Sequence, residues 1–375
     1  MSFKVLHILD SYLPETMNWI DSILQSTASN CEHHIAARYH INDYNLQYPM
    51  VPGSLASKYP IPVYNKVLCS FLDISSSNRL HHYVIRESID IIHFHFANTA
   101  IRQMQLIEKL KIPVLISFYG FDYEFLVKNK SGTLEAYQHL AHLGCRFIVE
   151  GRYSRNVLLE YGIPPGQISI LHLLFSRNGN LKPINWQLPI RLIQAASFTE
   201  KKNQLALLEA LQNRHAGRFQ ILLIGEPVDK NYYAEIKKQL VKKGNHSIRI
   251  MDKMTPVRYL HHLMKHHFAV NLSRRSKNYD TEGGCPIFIK DSLNLAKPVI
   301  STFHCDIPES VVHGFNGYLT DAMNVKSIED TLDRVLQLSQ KSYTNLCVNA
   351  FQSVNVNSLN NITGEELNKI YAACL

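Results

Sequence analysis

One pattern limits what this chain can fold into. Short apolar runs of strand length alternate with helix-length segments through almost the whole sequence. Runs such as Lys4–Leu9, Ile89–Phe96 and Phe219–Ile224 are predominantly apolar, which is typical of strands buried on both faces of a parallel sheet. The alternation stops once, at 176–189, where asparagine, glycine and proline predict a linker. The sequence therefore predicts an α/β protein with two doubly wound domains.

Length and composition agree with this reading. The chain has 375 residues, 46% hydrophobic and 19% charged, which suits two ordinary cores and excludes a disordered protein. No apolar run approaches the ~18 residues that span a bilayer, and the N-terminal segment lacks the features of a signal peptide. We therefore expect a cytoplasmic protein. Its seven cysteines contain no CxxC motif, so neither a disulfide framework nor a zinc ribbon is expected.

The net charge of +8 is unevenly distributed. Residues 1–180 hold 15 lysines and arginines against 14 acids, whereas residues 181–375 hold 24 against 17. A basic second half is typical of a domain that binds an anion such as a nucleotide, although a solvated basic surface has the same composition. Nucleic-acid binding is not expected, because no recognisable module accompanies the charge.

The most informative segment lies between a predicted strand and a predicted helix. Gly283 and Gly284 allow a ligand to approach the backbone closely, and Pro286 suits the first turn of a helix whose free N–H groups attract an anion. Glu282 stands at the start of this loop as an acceptor for hydroxyl groups, and Asp291 lies on the helix. An ordinary loop-to-helix turn has the same composition, so both interpretations stay open at this point.

Several segments occur in a fixed order along the chain. They are Lys4–Asp10, Ile89–Phe96, Ser117–Asp122, Glu200–Asn203, Glu282–Asp291, Lys297–Thr302, Ile307–Glu309 and Asn316–Gly317. Together they resemble the family 4 retaining glycosyltransferases, with their D-V-I-H-x-H, T-F-H-G-x-D, E-K-K-G and E-G-x-P-x-x-x-x-E segments. The resemblance covers both halves of the chain.

This resemblance implies the GT-B fold, in which two Rossmann-like domains face a central cleft. Residues 1–180 would form the acceptor-side domain and residues 181–355 the nucleotide-sugar-binding domain. Residues 356–375 would form a helix that crosses back to the first domain.

The resemblance also implies roles for individual residues. Glu282 should contact the hydroxyls of the donor sugar, Asp291 should hold the ribose, and Lys202 should neutralise the departing diphosphate. The remaining donor-side residues expected to lie near the sugar, phosphates or base are Gly283, Gly284, Cys285, Pro286, Met251 and Asp252. On the acceptor side, the resemblance points to Glu15, His95 and Asp122.

Three positions depart from the family pattern. Ser197 stands where the family has a phosphate-binding arginine, and Arg274 or Arg275 is a candidate replacement. Asp291 stands where the family has a glutamate. Tyr119 stands where the family has a histidine close to the reacting sugar; a tyrosine with an ordinary pKa near ~10 donates a hydrogen bond but is not the same kind of base. Glu282, Lys202 and Tyr119 are the predicted catalytic set.

Histidines raise the question of a metal. His262 and His266 have helical i, i+4 spacing within the run His261–His267, but an exposed histidine-rich helix face has the same pattern. His93 and His95 alternate on one predicted strand, so they face the same side, and both a site role and core packing stay open. The resemblance implies no metal and no cofactor.

The favoured function is transfer of a hexose-type unit from a nucleotide diphosphate sugar to a hydroxyl of a glycan or lipid-linked glycan, with retention of configuration. The alternatives are a sugar-nucleotide epimerase or hydrolase of the same fold, and a non-catalytic nucleotide-sugar-binding protein. Peripheral contact with the inner face of the membrane stays open, because lysines follow one face of the predicted helix 232–243. The sequence specifies neither the nucleobase, the sugar, the acceptor nor the oligomeric state.

Overall fold

The computed structural model describes residues 2–12, 19–40, 48–51, 55–56, 77–173, 181–214, 217–242, 247–359 and 362–375. The chain divides into two compact units, Met1–Leu173 with Asn361–Leu375, and Leu174–Asn360. Among the described residues, no helix is long and apolar enough to cross a membrane.

In the residues that the structure describes, the first unit has seven strands that alternate with helices. The strands are β1 Phe3–Tyr12, β2 Cys31–His40, β3 Leu55–Ala56, β4 Ile91–His95, β5 Val114–Ser117, β6 Arg146–Val149 and β7 Ile168–Ile170. The helices that precede the second unit are α1 Trp19–Thr27, α2 77–86, α3 Ala97–Arg102, α4 Met104–Lys109, α5 Glu124–Asn129, α6 Thr133–His142 and α7 Arg152–Glu160.

The second unit repeats the alternation. Its strands are β8 Ile190–Ala195, β9 Phe219–Gly225, β10 Ile248–Asp252, β11 Phe268–Val270, β12 Val299–Thr302 and β13 Gly317–Thr320. Its helices are α8 Gln204–Arg214, α9 Lys230–Lys242, α10 Pro256–Met264, α11 Ile287–Asn294, α12 Ile307–Ser310, α13 Val325–Leu336 and α14 Gln340–Leu359. The last helix, α15 Ile362–Ala372, belongs to the first unit, where it packs against α1.

Both sheets have the same topology. The strand orders are β3-β2-β1-β4-β5-β6-β7 and β10-β9-β8-β11-β12-β13, and all the strand pairings are parallel. The order reverses between β1 and β4 in the first sheet and between β8 and β11 in the second. Loops that follow such neighbouring strands form the usual ligand site of a doubly wound sheet. The predicted fold class, two Rossmann-like domains, is confirmed.

The two faces of the first sheet differ in chemistry. Leu6, Ile92 and Ile116 belong to a large apolar core on one face. On the other face, His7 pairs in register with His93. Since side chains alternate across a strand, an unusual row of buried polar groups lies on this second face.

Close backbone packing fixes the end of β9 in the second sheet. A Cβ atom at Gly225 would lie 2.0 Å from the carbonyl oxygen of Ala196, so this position requires glycine. The loop that begins at Ala196 is thereby held tightly against the sheet, and it leads directly to Lys202.

Candidate functional site

Two loops meet at the switch point of the second sheet. Lys202 lies in the loop after β8, and Glu282 lies in the loop after β11, the neighbouring strand. Parallel pairing brings the carboxyl ends of these strands to one edge, and the Lys202 Nζ atom lies 2.5 Å from Glu282 Oε1. The side chains are 15% and 9% exposed, so this ion pair is largely shielded from water.

The two loops are joined by two further ion pairs. Lys201 Nζ lies 2.9 Å from Asp280 Oδ1, and Arg274 Nη2 lies 2.9 Å from Glu200 Oε1. Every cation of this set therefore faces a carboxylate of the other loop. Arg274, the candidate substitute for the arginine missing at Ser197, is close to Lys202 in the chain fold because its backbone N–H donates to the Lys201 carbonyl.

The surroundings of Glu282 keep it ionised. Burial raises its pKa, but the charges of Lys202 and Lys201 and hydrogen bonds from Lys202 and Ser273 outweigh this effect and lower the pKa to about 2. The hydroxyl of Ser273 donates to Glu282 Oε1 at 2.5 Å. Glu282 is thus a fixed acceptor at neutral pH, suited to binding hydroxyl groups.

The glycine-containing loop continues from Glu282 into α11. Gly283 adopts a φ of 71°, which is the left-handed region that favours glycine, and the Gly284 N–H donates to the Glu282 carbonyl at 2.8 Å. Cys285 is buried, and Pro286 caps α11. The loop therefore bends sharply directly after the carboxylate and brings the start of α11 beside it.

Asp291 lies on α11 and is 4% exposed. The hydroxyl of Tyr259, from α10, donates to its Oδ2 atom. Asp291 therefore sits inside the unit with one oxygen already hydrogen-bonded. Its predicted contact with a ribose stays a prediction.

The loop that carries Lys202 is anchored at several points. The Gln194 side chain donates to the Lys202 carbonyl at 2.8 Å, and the Gln204 side chain donates to the Ser197 carbonyl at 3.0 Å. Asn203 follows with a φ of 55°, where asparagine is one of the few non-glycine residues that are well tolerated. This explains why asparagine can take the place of the glycine in the E-K-K-G pattern.

Met251 and Asp252 end β10, which is separated from β8 by β9 in the sheet. Met251 packs against the apolar cluster around α11, whereas Asp252 is exposed. The predicted flank of a nucleobase thus combines an apolar side chain and an accessible carboxylate at the same edge of the sheet.

The side chains that contact Thr281, directly before Glu282, were not predicted from the sequence. The Thr281 hydroxyl lies 2.9 Å from His304 Nε2 and 3.0 Å from Cys305 Sγ. Burial raises the pKa of Cys305 to about 12, so this thiol is not a nucleophile at neutral pH. These side chains come from the segment after β12, and no motif in the sequence marks them.

On the first unit, Tyr119 and Asp122 form a compact turn. The Tyr119 N–H donates to Asp122 Oδ2 at 3.0 Å, and the Asn98 N–H lies 3.4 Å from Oδ1. Asp122 is fully buried, which raises its pKa to about 7 against the opposing effect of these amides. Its carboxylate organises the turn. Glu15, the other predicted acceptor-side residue, lies outside the described residues.

Tyr119 is 7% exposed, and its ring packs edge-on against Trp19. Its hydroxyl lies 3.1 Å from Nδ1 of His95, within the unit. Burial raises the pKa of Tyr119 well above its ordinary value, so it is not a base at neutral pH.

His95 belongs to a cluster of four buried histidines. His7, His33, His93 and His95 are each at most 2% exposed. Burial lowers the pKa of His95 to about 3 and that of His33 to about 4, so these rings are neutral near pH 7. Among the described residues, His7, His93 and His95 form the group whose ligand atoms lie within 4.8 Å of one another.

The histidine-rich segment His261–His267, which begins on α10 and continues past its end, has a different arrangement. His266 Nδ1 hydrogen-bonds the His262 carbonyl, and His267 accepts from the Arg191 N–H and donates to the Asn185 carbonyl. His261 is exposed. These side chains serve separate local hydrogen bonds.

Comparisons with known proteins agree with the two units. Residues 185–352 match the family described as glycosyl transferases group 1, and residues 28–173 match glycosyltransferase family 4. Together the two matches cover most of the chain.

A curated relative and many solved structures are similar to the chain. The amylovoran biosynthesis glycosyltransferase AmsK of Erwinia amylovora is 22% identical over 261 residues, which are 66% of this chain and 61% of AmsK. A glycosyltransferase from Rickettsia africae has a TM-score of 0.74 at 15% identity, over 100% of this chain and 98% of that one. HepE from Anabaena, solved with UDP and glucose, has a TM-score of 0.74 at 12% identity, over 98% and 99%.

Proposed function

The chain belongs to the family 4-like glycosyltransferases of the GT-B fold, and we propose that it transfers a hexose-type unit from a nucleotide diphosphate sugar to a hydroxyl acceptor with retention of configuration. The observation that carries this proposal is the pair formed by Lys202 and Glu282 at the switch point of the second sheet. A cation and a carboxylate held side by side suit a ligand that has both a phosphate and sugar hydroxyls.

In this proposal, Glu282 accepts hydrogen bonds from the donor sugar. Its low pKa keeps it charged, and Ser273 and Lys202 hold its Oε1 atom in place. A carboxylate that is fixed before the substrate arrives loses little entropy on binding.

Lys202, with Lys201 and Arg274 nearby, neutralises the diphosphate as the bond to the sugar breaks. These cations are paired with carboxylates, and a diphosphate carries enough charge to share them. The start of α11 adds backbone N–H groups beside the same loop. Positive charge from side chains and a helix terminus can stabilise a leaving group without a metal.

Asp291 and Tyr259 are proposed to hold the ribose, and Met251 with Asp252 to flank the base. HepE was solved with UDP, which makes a uridine nucleotide the first candidate to test. AmsK is named for amylovoran biosynthesis, and this supports a role in assembly of a polysaccharide, with a glycan or lipid-linked glycan as acceptor. We place the protein in the cytoplasm, with peripheral contact at the inner face of the membrane as a further possibility to test.

Thermal-shift measurements with UDP, GDP and ADP, and with their common sugar conjugates, test the donor site. We expect one nucleotide family to raise the melting temperature, through stabilisation of the folded state by mass action. Glu282→Gln should lose the additional shift from the sugar and keep the shift from the bare nucleotide. Glu226→Gln is the matched control, because Glu226 pairs with Lys253 at an exposed site in the same unit.

Turnover separates the three candidate functions. A transferase should release the nucleotide faster when a hydroxyl acceptor is added, and the anomeric proton coupling of the product should match that of the donor. Release or isomerisation of the sugar at the same rate without an acceptor would identify a hydrolase or epimerase. Binding without turnover, at millimolar donor with membrane-derived glycolipid acceptors, would identify a binding protein.

A further inference from the structure

The four buried histidines are members of one continuous series of hydrogen bonds. The series, here called the histidine chain, runs through Thr27, His33, His7, His95, Tyr119, Ser117, His93 and Tyr371. It starts on α1, crosses β2, β1, β4 and β5, and ends on α15. The register of the strands places its strand residues on one face of the sheet.

One end of the histidine chain has a fixed direction. The His33 side chain hydrogen-bonds the backbone of Leu24, and Thr27 Oγ1 donates to the carbonyls of Ile23 and Leu24. A carbonyl only accepts, so the His33 nitrogen on the α1 side, Nε2, carries the proton. Nδ1 of this neutral ring is therefore an acceptor.

The protonation of each later member follows from the protonation of the member before it. His7 Nε2 lies 3.0 Å from His33 Nδ1, so His7 donates there and accepts at its own Nδ1. His95 Nε2 lies 3.0 Å from His7 Nδ1, so His95 donates in turn and accepts at Nδ1. The Tyr119 hydroxyl lies 3.1 Å from His95 Nδ1. Because this nitrogen accepts, the hydroxyl donates its proton to it.

The remaining members extend the same direction. Ser117 hydrogen-bonds Tyr119 and donates to its oxygen, because the phenolic proton already points to His95. His93 Nε2 lies 2.8 Å from Ser117 Oγ and donates to it, and the Tyr371 hydroxyl donates to His93 Nδ1 at 2.8 Å. All four histidines are then neutral rings protonated on Nε2.

We propose that the histidine chain positions Tyr119 for the transfer reaction, because it directs the phenolic proton to His95. Tyr119 then presents a fixed ring to the substrate that receives the sugar. Its oxygen can accept a hydrogen bond from that substrate, but its proton is not available to it. His95 and the distant Tyr371 are then positioning residues. This inference rests on the proposed function for the reaction, whereas the protonation pattern does not depend on that function.

A metal site is the competing explanation for the same residues. His93 and His95 alternate on β4, and His7 lies beside them on β1, a pattern that suits a transition metal. However, every ring nitrogen of these three residues already has a partner within the histidine chain. A metal ion would therefore have to replace hydrogen bonds that these rings already make.

The protonation pattern is measurable without any substrate. Long-range proton–nitrogen NMR spectra of protein labelled with ¹⁵N-histidine distinguish the two neutral forms of each ring. Three variants that each remove one hydroxyl assign the signals, because the nitrogen signals of the neighbouring ring shift. Thr27→Val assigns His33, Tyr119→Phe assigns His95, and Tyr371→Phe assigns His93. We expect four neutral rings protonated on Nε2 at pH 7. A ring protonated on Nδ1, or a stoichiometric metal in elemental analysis, overturns the proposal.

The positioning role is tested by turnover. Tyr371→Phe keeps the buried ring and removes one hydroxyl, and we expect kcat to fall about fivefold with an unchanged KM for the donor, as for the loss of one buried hydrogen bond. Tyr119→Phe should have the same effect, and the double variant should be no worse than either. Tyr343→Phe is the matched control, because this buried hydroxyl bonds the His267 carbonyl in the second unit.

The outcomes separate the two proposals. Wild-type turnover in Tyr371→Phe, or a loss above a hundredfold in Tyr119→Phe alone, overturns the positioning role. If the wild-type protein transfers no sugar, the proposed function and the positioning role both fail, while the NMR spectra still decide the protonation pattern.

Discussion

The two sheets keep their buried polar groups in different places, although their strands follow the same order. In the first sheet, imidazoles such as His7 and His93 lie within the strands beneath α1 and α15. In the second sheet, the corresponding strands β8 and β11 contribute apolar side chains to cores on both faces, and the charged groups of the site lie in the loops beyond them. One unit has a neutral polar interior, and the other has a charged edge.

The difference shows how burial selects the protonation state. A fully buried histidine has no nearby counter-charge and stays neutral, so hydrogen bonds alone satisfy it. Glu282 is also shielded, but Lys202 and Lys201 keep it ionised. Neutral groups suit a rigid framework, whereas paired charges at a loop edge suit exchange with an anionic ligand.

Lowering the pH should destabilise the first unit more than the second. The folded pKa values of the four histidines lie below their unfolded values near 6.5, so the unfolded state binds more protons below that pH and stability falls as pH decreases. Between pH 7.5 and 5.5, each ring lowers the stability by about 1.4 kcal/mol, or by about 5.5 kcal/mol for the four rings. Asp122 opposes this loss by about 2 kcal/mol, because its folded pKa of about 7 lies above its unfolded value. In the second unit, His266 and His267, with pKa values of about 4, predict a smaller loss of about 3 kcal/mol.

The two tryptophans allow this contrast to be measured. Trp186→Phe leaves Trp19 as the reporter of the first unit, and Trp19→Phe leaves Trp186 as that of the second. Urea unfolding followed by tryptophan fluorescence at pH 7.5 and 5.5 gives the loss for each unit. Equal losses in the two units would contradict the prediction.

Lys202→Met should remove the positive charge that pairs with Glu282 in the second unit. Glu282 would keep Lys201 and Ser273 as partners, but the diphosphate would lose its nearest cation. We expect nucleotide binding to weaken about 30-fold, about 2 kcal/mol, measured by calorimetric titration. Lys253→Met, which breaks an exposed pair with Glu226, should leave binding unchanged.

Tyr259→Phe sharpens the assignment of Asp291. Without the hydroxyl, this buried carboxylate loses the hydrogen bond that Tyr259 donates to its Oδ2 atom. We expect the KM for the donor to rise about tenfold while kcat changes little, because the ribose is remote from the broken bond. A fall in kcat at constant KM would place Asp291 nearer the chemistry.

The smallest effect is expected at Asn203. Its φ of 55° disfavours a residue with a plain Cβ, and its side chain donates to the Ala322 carbonyl. Asn203→Ala should lower the free energy of unfolding by about 1 kcal/mol, and Asn203→Gly should lower it less, since glycine adopts this φ freely. Urea denaturation monitored at Trp186 distinguishes the two.

Periodicity alone was sufficient to predict the two Rossmann-like domains, because buried parallel strands are nearly free of polar residues. The same rule failed for β2, where Glu32, His33 and His34 interrupt the apolar pattern. That strand is stable because His33 and His34 find hydrogen-bond partners on other elements. Helix α14 was missed because its many asparagine, serine and valine residues favour helix weakly. The apolar pattern from Thr99 to Leu110 predicts one helix, whereas the structure has two, α3 and α4, which meet at Gln103.

The site could be predicted only as far as its loops carry recognisable segments. The segments around Lys202 and Glu282 indicated both loops, but nothing in the sequence showed that these side chains pair. His93 and His95 were expected on one side of a strand, while the participation of His7 and His33 depends on the register between distant strands. Their role in the core therefore required the three-dimensional structure.

The last helix has a consequence for how the protein is made. Tyr371 forms a hydrogen bond with His93, which lies 278 positions earlier in the sequence, and α15 packs against α1 near the beginning. On the ribosome, the first unit is synthesised early but lacks its covering helix until the second unit has emerged. During that interval the face with His93 is open to solvent or to a chaperone. The first unit is therefore completed last.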